Sequence, residues 1–180
     1  MMPGASAVRV KDGEIQLRVV MNIGPKWKNV DLLRTAILNC VAVIVGEGDA
    51  STTVGIIVSE LLENAIKYGE WTESNASTLT LDITGNHDRI RIDVASPTRP
   101  GSANFESLKK TVDWIRSFPA PREAYLERIR QVADEDGSQS RLGLVRIAHE
   151  GPCQLEVKLV ADNNLVITSA VTDLSPRSRM

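Results

Sequence analysis

The sequence predicts an α/β protein, on three observations. Strand-like alternation opens the chain, a strongly amphipathic helical pattern ends at Gly69, and two pairs of short strands each flank a polar turn. In order, the elements read strand, helix, helix, strand, strand, two helices, helix, strand, strand.

Each element has a local cause. Glu14–Asn22 alternates, with Ile15, Leu17, Val19 and Met21 on one face, and Gly24-Pro25 breaks it. Asn29 is a good N-cap for a helix to Val45, whose expected buried stripe is Leu33, Ile37, Cys40, Val41 and Ile44. The β-branched run at its C-terminal end is also compatible with extended chain. Gly46-Glu47-Gly48-Asp49 is a turn, and the next helix starts near Ser51 or Thr52. Ser77–Thr84 and Arg89–Ala95 form a hairpin around Gly85-Asn86-His87-Asp88. Two helical patterns follow, Phe105-Leu108-Val112-Ile115 and Tyr125-Ile129-Val132, separated by Pro119-Ala120-Pro121. The polar stretch 134–138 and the tail from Ser175 are expected to be mobile or disordered. A helix over Leu142–His149 and strands Gln154–Ala161 and Leu165–Ala170, joined by Asp162-Asn163-Asn164, close the chain.

Composition narrows the function classes. One hundred and eighty residues, 42% hydrophobic and 24% charged, suit one globular domain with a real core. A net charge of −2 offers no basic field for nucleic acid or an anionic membrane. The longest apolar run, Cys40–Val45, is far shorter than the ~20 residues a bilayer requires. The Met-Met-Pro-Gly-Ala-Ser start lacks a basic region followed by an apolar run, so a cytoplasmic location is expected. Cys40 and Cys153 lack metal-ligand spacing, and Cys40 is expected in the core as a small apolar residue.

The most informative stretch is Glu60 to Gly69. At about 100° per residue, Asn64, Lys67 and Tyr68 fall within roughly 80° of Glu60. Val54, Val58, Leu61, Leu62 and Ala65 form the opposed apolar stripe. One face packs; the other presents a carboxylate, an amide, an ammonium and a phenol. A carboxylate one turn before an amide can act as general base while the amide oxygen ligates Mg²⁺, with Lys67 reaching a phosphate. The alternative is a solvated face with a Glu63–Lys67 pair worth about 0.3 kcal/mol. Gly69 is expected in the left-handed C′ position that stops the helix.

Glu60-x-x-x-Asn64-Ala65-x-Lys67-Tyr68-Gly69 resembles the N-box of the GHKL ATPases, the superfamily of gyrase and the histidine kinases with the Bergerat ATP-binding fold. Ser140-Arg141-Leu142-Gly143-Leu144-Val145-Arg146-Ile147 resembles the tail of that family's second glycine box. The resemblance spans most of residues 13–172. It implies an α+β two-layer sandwich in which a mixed, largely antiparallel sheet packs on a helix layer. It also implies one histidine-kinase-like ATPase domain, closest in size to small anti-sigma-type regulatory kinases, with a lid at about 97–137. By the resemblance Glu60 is the catalytic base, Asn64 the Mg²⁺ ligand, and Lys67, Tyr68, Ser96, Arg141, Leu142 and Gly143 contact ATP.

The chain departs from the family where nucleotide is held. The first glycine box should offer a carboxylate to adenine, yet Ser96 stands there and the first glycine is missing. Asp93 lies three residues earlier, an odd offset that points it to the other face. In the second box Gln139 and Arg141 replace glycines, and only Gly143 remains. Arg141 can bind a phosphate, block the site, or face solvent. Trp114, Phe118 and Tyr125 are three of only seven aromatics, and either pack the helices or form a docking surface. Two functions therefore stand open. One is a degenerate ATPase domain acting as a signalling regulator through a protein partner; the other is an active ATP–Mg²⁺ serine/threonine kinase of the anti-sigma type. Relatives often form homodimers, but no stripe here specifies one.

Overall fold

The computed structural model describes residues 14–22, 30–46, 48–71, 78–99, 101–134, 142–151, 153–160 and 164–174. Five strands and five helices lie among them: β1 (Glu14–Asn22), α1 (Val30–Val45), α2 (Asp49–Tyr68), β2 (Thr78–Asn86), β3 (Arg89–Pro97), α3 (Ala103–Arg116), α4 (Pro121–Asp134), α5 (Leu142–Glu150), β4 (Cys153–Val160) and β5 (Leu165–Asp173). The sheet order is β1-β2-β3-β5-β4. Every pairing is antiparallel, so the expected mixed sheet is antiparallel throughout. Helices cover one face, giving an α+β two-layer arrangement.

The core lies between these layers. Alternation aims Ile90, Ile92 and Val94 of β3 inward beside Leu79, Leu81 and Ile83 of β2, all essentially inaccessible to water. The other face is polar. There the register aligns Arg18, Asp82, Asp93, Ser169 and Glu156 in one row across all five strands. Arg18 Nε lies 3.5 Å from Asp82, and Arg91 Nε 2.9 Å from Asp93. Arg91 also donates to Ser169 Oγ at 2.9 Å. Burial raises the Asp82 pKa against the pull of Arg18, and the charge of Asp93 adds to the rise.

Several elements differ from sequence expectation. The β-branched end of α1 is helical because packing outweighs propensity. The α1 stripe runs through Leu33, Ile37, Val41 and Val45 at four-residue spacing. Cys40, one residue off it, is exposed rather than in the core, and Ile44 is half-buried. Helix α2 starts at Asp49, since Gly48 at φ 125° turns the chain into it. The β2–β3 turn contracts to His87-Asp88, with Asn86 Oδ1 accepting from the backbone N–H of Asp88 and Arg89 at 2.9 Å each. Strand β3 extends through Ser96 and Pro97, and β5 to Asp173, because Ser96 pairs with Val166 and Arg89 with Asp173. The expected mobile stretch 135–138, the tail from Ser175, and Asp162-Asn163 lie outside the described residues.

The aromatics of the lid-like segment are engaged internally. Trp114 and Phe118 pack edge to face with centroids 4.8 Å apart, and Tyr125 stacks on His149 at 4.7 Å. All three are half-buried against the core, which favours packing over docking for them.

Gly85 gives a sharp test of the hairpin. Its φ is 146°, and an added Cβ would lie 2.1 Å from the Arg89 carbonyl oxygen. Gly85→Ala should cost about 2–3 kcal/mol in urea unfolding, within the range for strained backbone. A cost near zero would mean the turn adopts another geometry.

Candidate functional site

Helix α2 builds the site. Its apolar stripe, Val54, Val58, Leu61, Leu62 and Ala65, is buried as expected. That fixes the rotation of the helix and directs Glu60, Asn64, Lys67 and Tyr68 into a cleft. Helix α3 forms the second wall with Asn104, Ser107 and Leu108, and the start of α5 the third with Gly143 and Leu144. The cavity is about 300 Å³, at the small end of the range for ligand sites.

Glu60 is the best-fastened group in it. Its carboxylate forms an ion pair and hydrogen bond with the Arg146 guanidinium. It also sits against Gly143, where an added Cβ would stand 2.1 Å from Oε2. Burial raises the Glu60 pKa. Arg146 pulls it down, while the charges of Glu63 and Glu150 push it further up. The net rise means that burial and like charges outweigh the ion pair, and the ionised form is held at a cost.

Asn64 Nδ2 donates to the Glu60 carbonyl at 2.8 Å, which directs the amide and leaves its oxygen as the hard ligand. One amide oxygen and one carboxylate suit a Mg²⁺ that arrives with phosphates, since this ion keeps most of its shell from water and substrate. A closed all-protein cage is not formed: among the described residues no three His, Cys, Asp or Glu side chains cluster for a metal. Lys67 Nζ lies 5.3 Å from the Tyr68 ring centroid, and the Lys67 side chain is exposed at the mouth. Glu63 pairs with Arg34 of α1 at 2.9 Å.

The end of α2 departs from expectation. Gly69 has φ −65° and ψ 147°, extended rather than left-handed. Glycine is needed there for space instead, because a Cβ would lie 2.6 Å from the Ala65 carbonyl oxygen and 2.8 Å from the Trp71 ring. Trp71 Nε1 donates to the Ile66 carbonyl at 2.9 Å and Asn104 Nδ2 to the Tyr68 carbonyl at 3.0 Å, capping the exposed helix end.

Ser96 is buried, on the face of β3 opposite Asp93. It lines a separate space of about 20 Å³ shared with Asn64, Thr98 and Thr168 and covered by Phe105 and Leu108 of α3. That is room for a water molecule. Of the expected site residues, the main cavity gathers Glu60, Asn64, Lys67, Tyr68 and Gly143; Ser96 does not line it but shares the adjoining small space with Asn64 and Tyr68. Leu142 begins α5, and Arg141 lies outside the described residues.

Sequence reasoning missed Arg146, Asn104 and Trp71. Arg146 carried a usable signal, for it follows Gly143 by three residues and shares its helix face. Asn104 and Trp71 act through tertiary contacts that no local pattern announces. Among the described residues no helix is long and apolar enough to cross a membrane.

No family model matches the chain. No curated protein matches it by sequence. Among solved structures, a chain of the SiaB–SiaC complex from Pseudomonas aeruginosa superposes with a TM-score of 0.56, covering 86% of this chain and 89% of that one at 20% identity. The fold is shared. The agreement is one of backbone architecture over nearly the whole of both chains.

The raised Glu60 pKa has a definite pH signature. Protonation is easier in the folded state, so the contribution of Glu60 is most favourable below its unfolded value and is lost as pH rises through the folded value. Glu60→Gln should therefore melt higher than wild type at pH 7, and the difference should shrink toward pH 4 as both approach neutral side chains. Melting curves between pH 4 and 8 test this. A variant that melts lower at pH 7 would mean the Arg146 pair dominates.

Proposed function

We propose that the chain is a Bergerat-type regulatory domain that acts through a protein partner and whose nucleotide site is degenerate. One observation carries the degenerate part. Ser96 stands where the GHKL resemblance places the adenine-binding carboxylate, and it lies beneath Phe105 and Leu108 in a space the size of a water. A purine there would require α3 to withdraw. The hydroxyl of Ser96 is also a weaker acceptor for an amino group than a carboxylate.

The partner part is supported by the architecture shared with a chain that was solved within the SiaB–SiaC assembly. Partner-switching regulation is the reading that joins this likeness to the N-box. Neither nucleic acid nor membrane is part of it.

The second reading, an ATP–Mg²⁺-dependent serine/threonine kinase, is favoured by Glu60 and Asn64 sharing one cavity of about 300 Å³ with Lys67 at its rim. Here Glu60 would take the proton of an acceptor hydroxyl, and its raised pKa suits a base. Asn64 would ligate Mg²⁺ on the phosphates, and Lys67 would offset phosphate charge.

Titration calorimetry of ATP and ADP with and without Mg²⁺ separates the two. The degenerate reading expects binding no tighter than about 1 mM, near −4 kcal/mol. Micromolar, Mg²⁺-dependent binding that Asn64→Ala renders Mg²⁺-independent would replace it with the kinase.

A further inference from the structure

Arg146 has two carboxylates within reach. Besides Glu60, its Nε lies 3.7 Å from Glu150 Oε2, one turn along α5. The Glu60 side chain is 14% exposed and that of Glu150 44%, so one seat is inside the cleft and the other at the surface. Moving between them needs only side-chain rotation, because Arg146 and Glu150 share a helix and Arg146 itself is 45% exposed.

While Arg146 holds Glu60, carboxylate Oε1 accepts from the guanidinium, whose charge stabilises the ionised form. Oε1 is then withheld from an acceptor hydroxyl, and the guanidinium stands where another cation would pair with that oxygen. On the α5 side Glu60 has little slack, since a Cβ added at Gly143 would crowd Oε2. A Mg²⁺ seated between the Asn64 amide oxygen and Glu60 would compete with the guanidinium for that carboxylate, and Glu150 offers Arg146 its other partner.

We infer that Arg146 is a latch: an internal counter-ion that keeps Glu60 out of use and passes to Glu150 when a Mg²⁺-bound polyphosphate enters the cleft between α2, α3 and α5. Arg146 is thus a positioning residue. The inference rests on reading Glu60 and Asn64 as a nucleotide site and adds the regulation of that site. It supplies a second cause of weak binding, separate from the narrow space at Ser96.

The test is an amide-resolved NMR titration of Mg²⁺–ATP and Mg²⁺–tripolyphosphate into the full chain, in wild type, Arg146→Gln, Glu150→Gln and the double variant. Arg146→Gln should bind both ligands about tenfold more tightly, a usual size for coupled sites. Glu150→Gln should weaken binding in the wild-type background, by removing the outer seat, and have no effect once Arg146 is gone. A merely structural role would not produce that background dependence. Should Arg146→Gln fail to fold in melting curves, Arg146→Lys carries the comparison, since it loses the guanidinium fork and should show a smaller gain. Unchanged or weaker binding in the Arg146 variants, or a Glu150 effect that persists without Arg146, overturns the latch. If all four proteins bind alike, the latch falls and the nucleotide site stands. If none binds either ligand at millimolar concentration, the latch and the nucleotide reading of the site fall together.

Discussion

Helix α2 has to satisfy two packing surfaces at once, and the rest of the molecule is arranged around that demand. Its apolar stripe lies over β3 at the centre of the sheet, where Ile90, Ile92 and Val94 are sealed from water. Its polar side must then accept α5 at short range. Both ends of α5 approach through glycine: Gly143 lies against Glu60, and at Gly151 a Cβ would stand 3.2 Å from Thr53 and 3.3 Å from Ile57. A larger residue at either end would lift α5 and open the core beneath it. The side chains of the cleft are therefore positioned by helix–helix distance rather than by loops.

That closeness also sets the electrostatics. A carboxylate drawn between two helices loses hydration, and Glu60 regains only part of it from Arg146. A half-buried acid paired with a more exposed base is an uneven bond. The cost of ionisation falls on the inner partner, while the outer one keeps water and a second carboxylate, Glu150. The purine end has the opposite character. There Phe105 and Leu108 cover buried hydroxyls with apolar surface, so the large cavity is polar while the small space beside it is narrow.

Much of this was legible in the sequence because it follows from periodicity. Alternation in Glu14–Asn22 set β1 to the residue, and the odd offset from Ser96 placed Asp93 on the far face of β3. The stripe of α2 identified five of its buried residues, though not Ile57, and the row Glu60, Asn64, Lys67, Tyr68. What the sequence withheld depends on distances between elements. Cys40 looked apolar enough for the core, yet a stripe advancing by four residues per turn leaves it outside. Gly69 looked like a left-handed stop, but its role is set by Trp71 folding back over the helix end. The cover over Ser96 and the Glu60–Arg146 pair join segments 9 and 86 residues apart, and side-chain chemistry alone does not give such contacts.

Four of the five strands form two antiparallel pairs, β2–β3 and β4–β5, joined along β3 and β5, and β1 adds to β2 at the edge. Between them in the chain, the described residues form α3, α4 and α5, which lie outside the sheet. Neither pair needs that segment to set its register, and lengthening such a connection costs closure entropy only logarithmically. Register in the sheet is thus independent of these helices, although Val112 and Ile115 of α3, Ala124 of α4 and Ile147 of α5 complete the core above it. The cleft has one wall built on the sheet-bound helix and the others on this intervening segment, so its outline is set by residues that the sheet register leaves unconstrained.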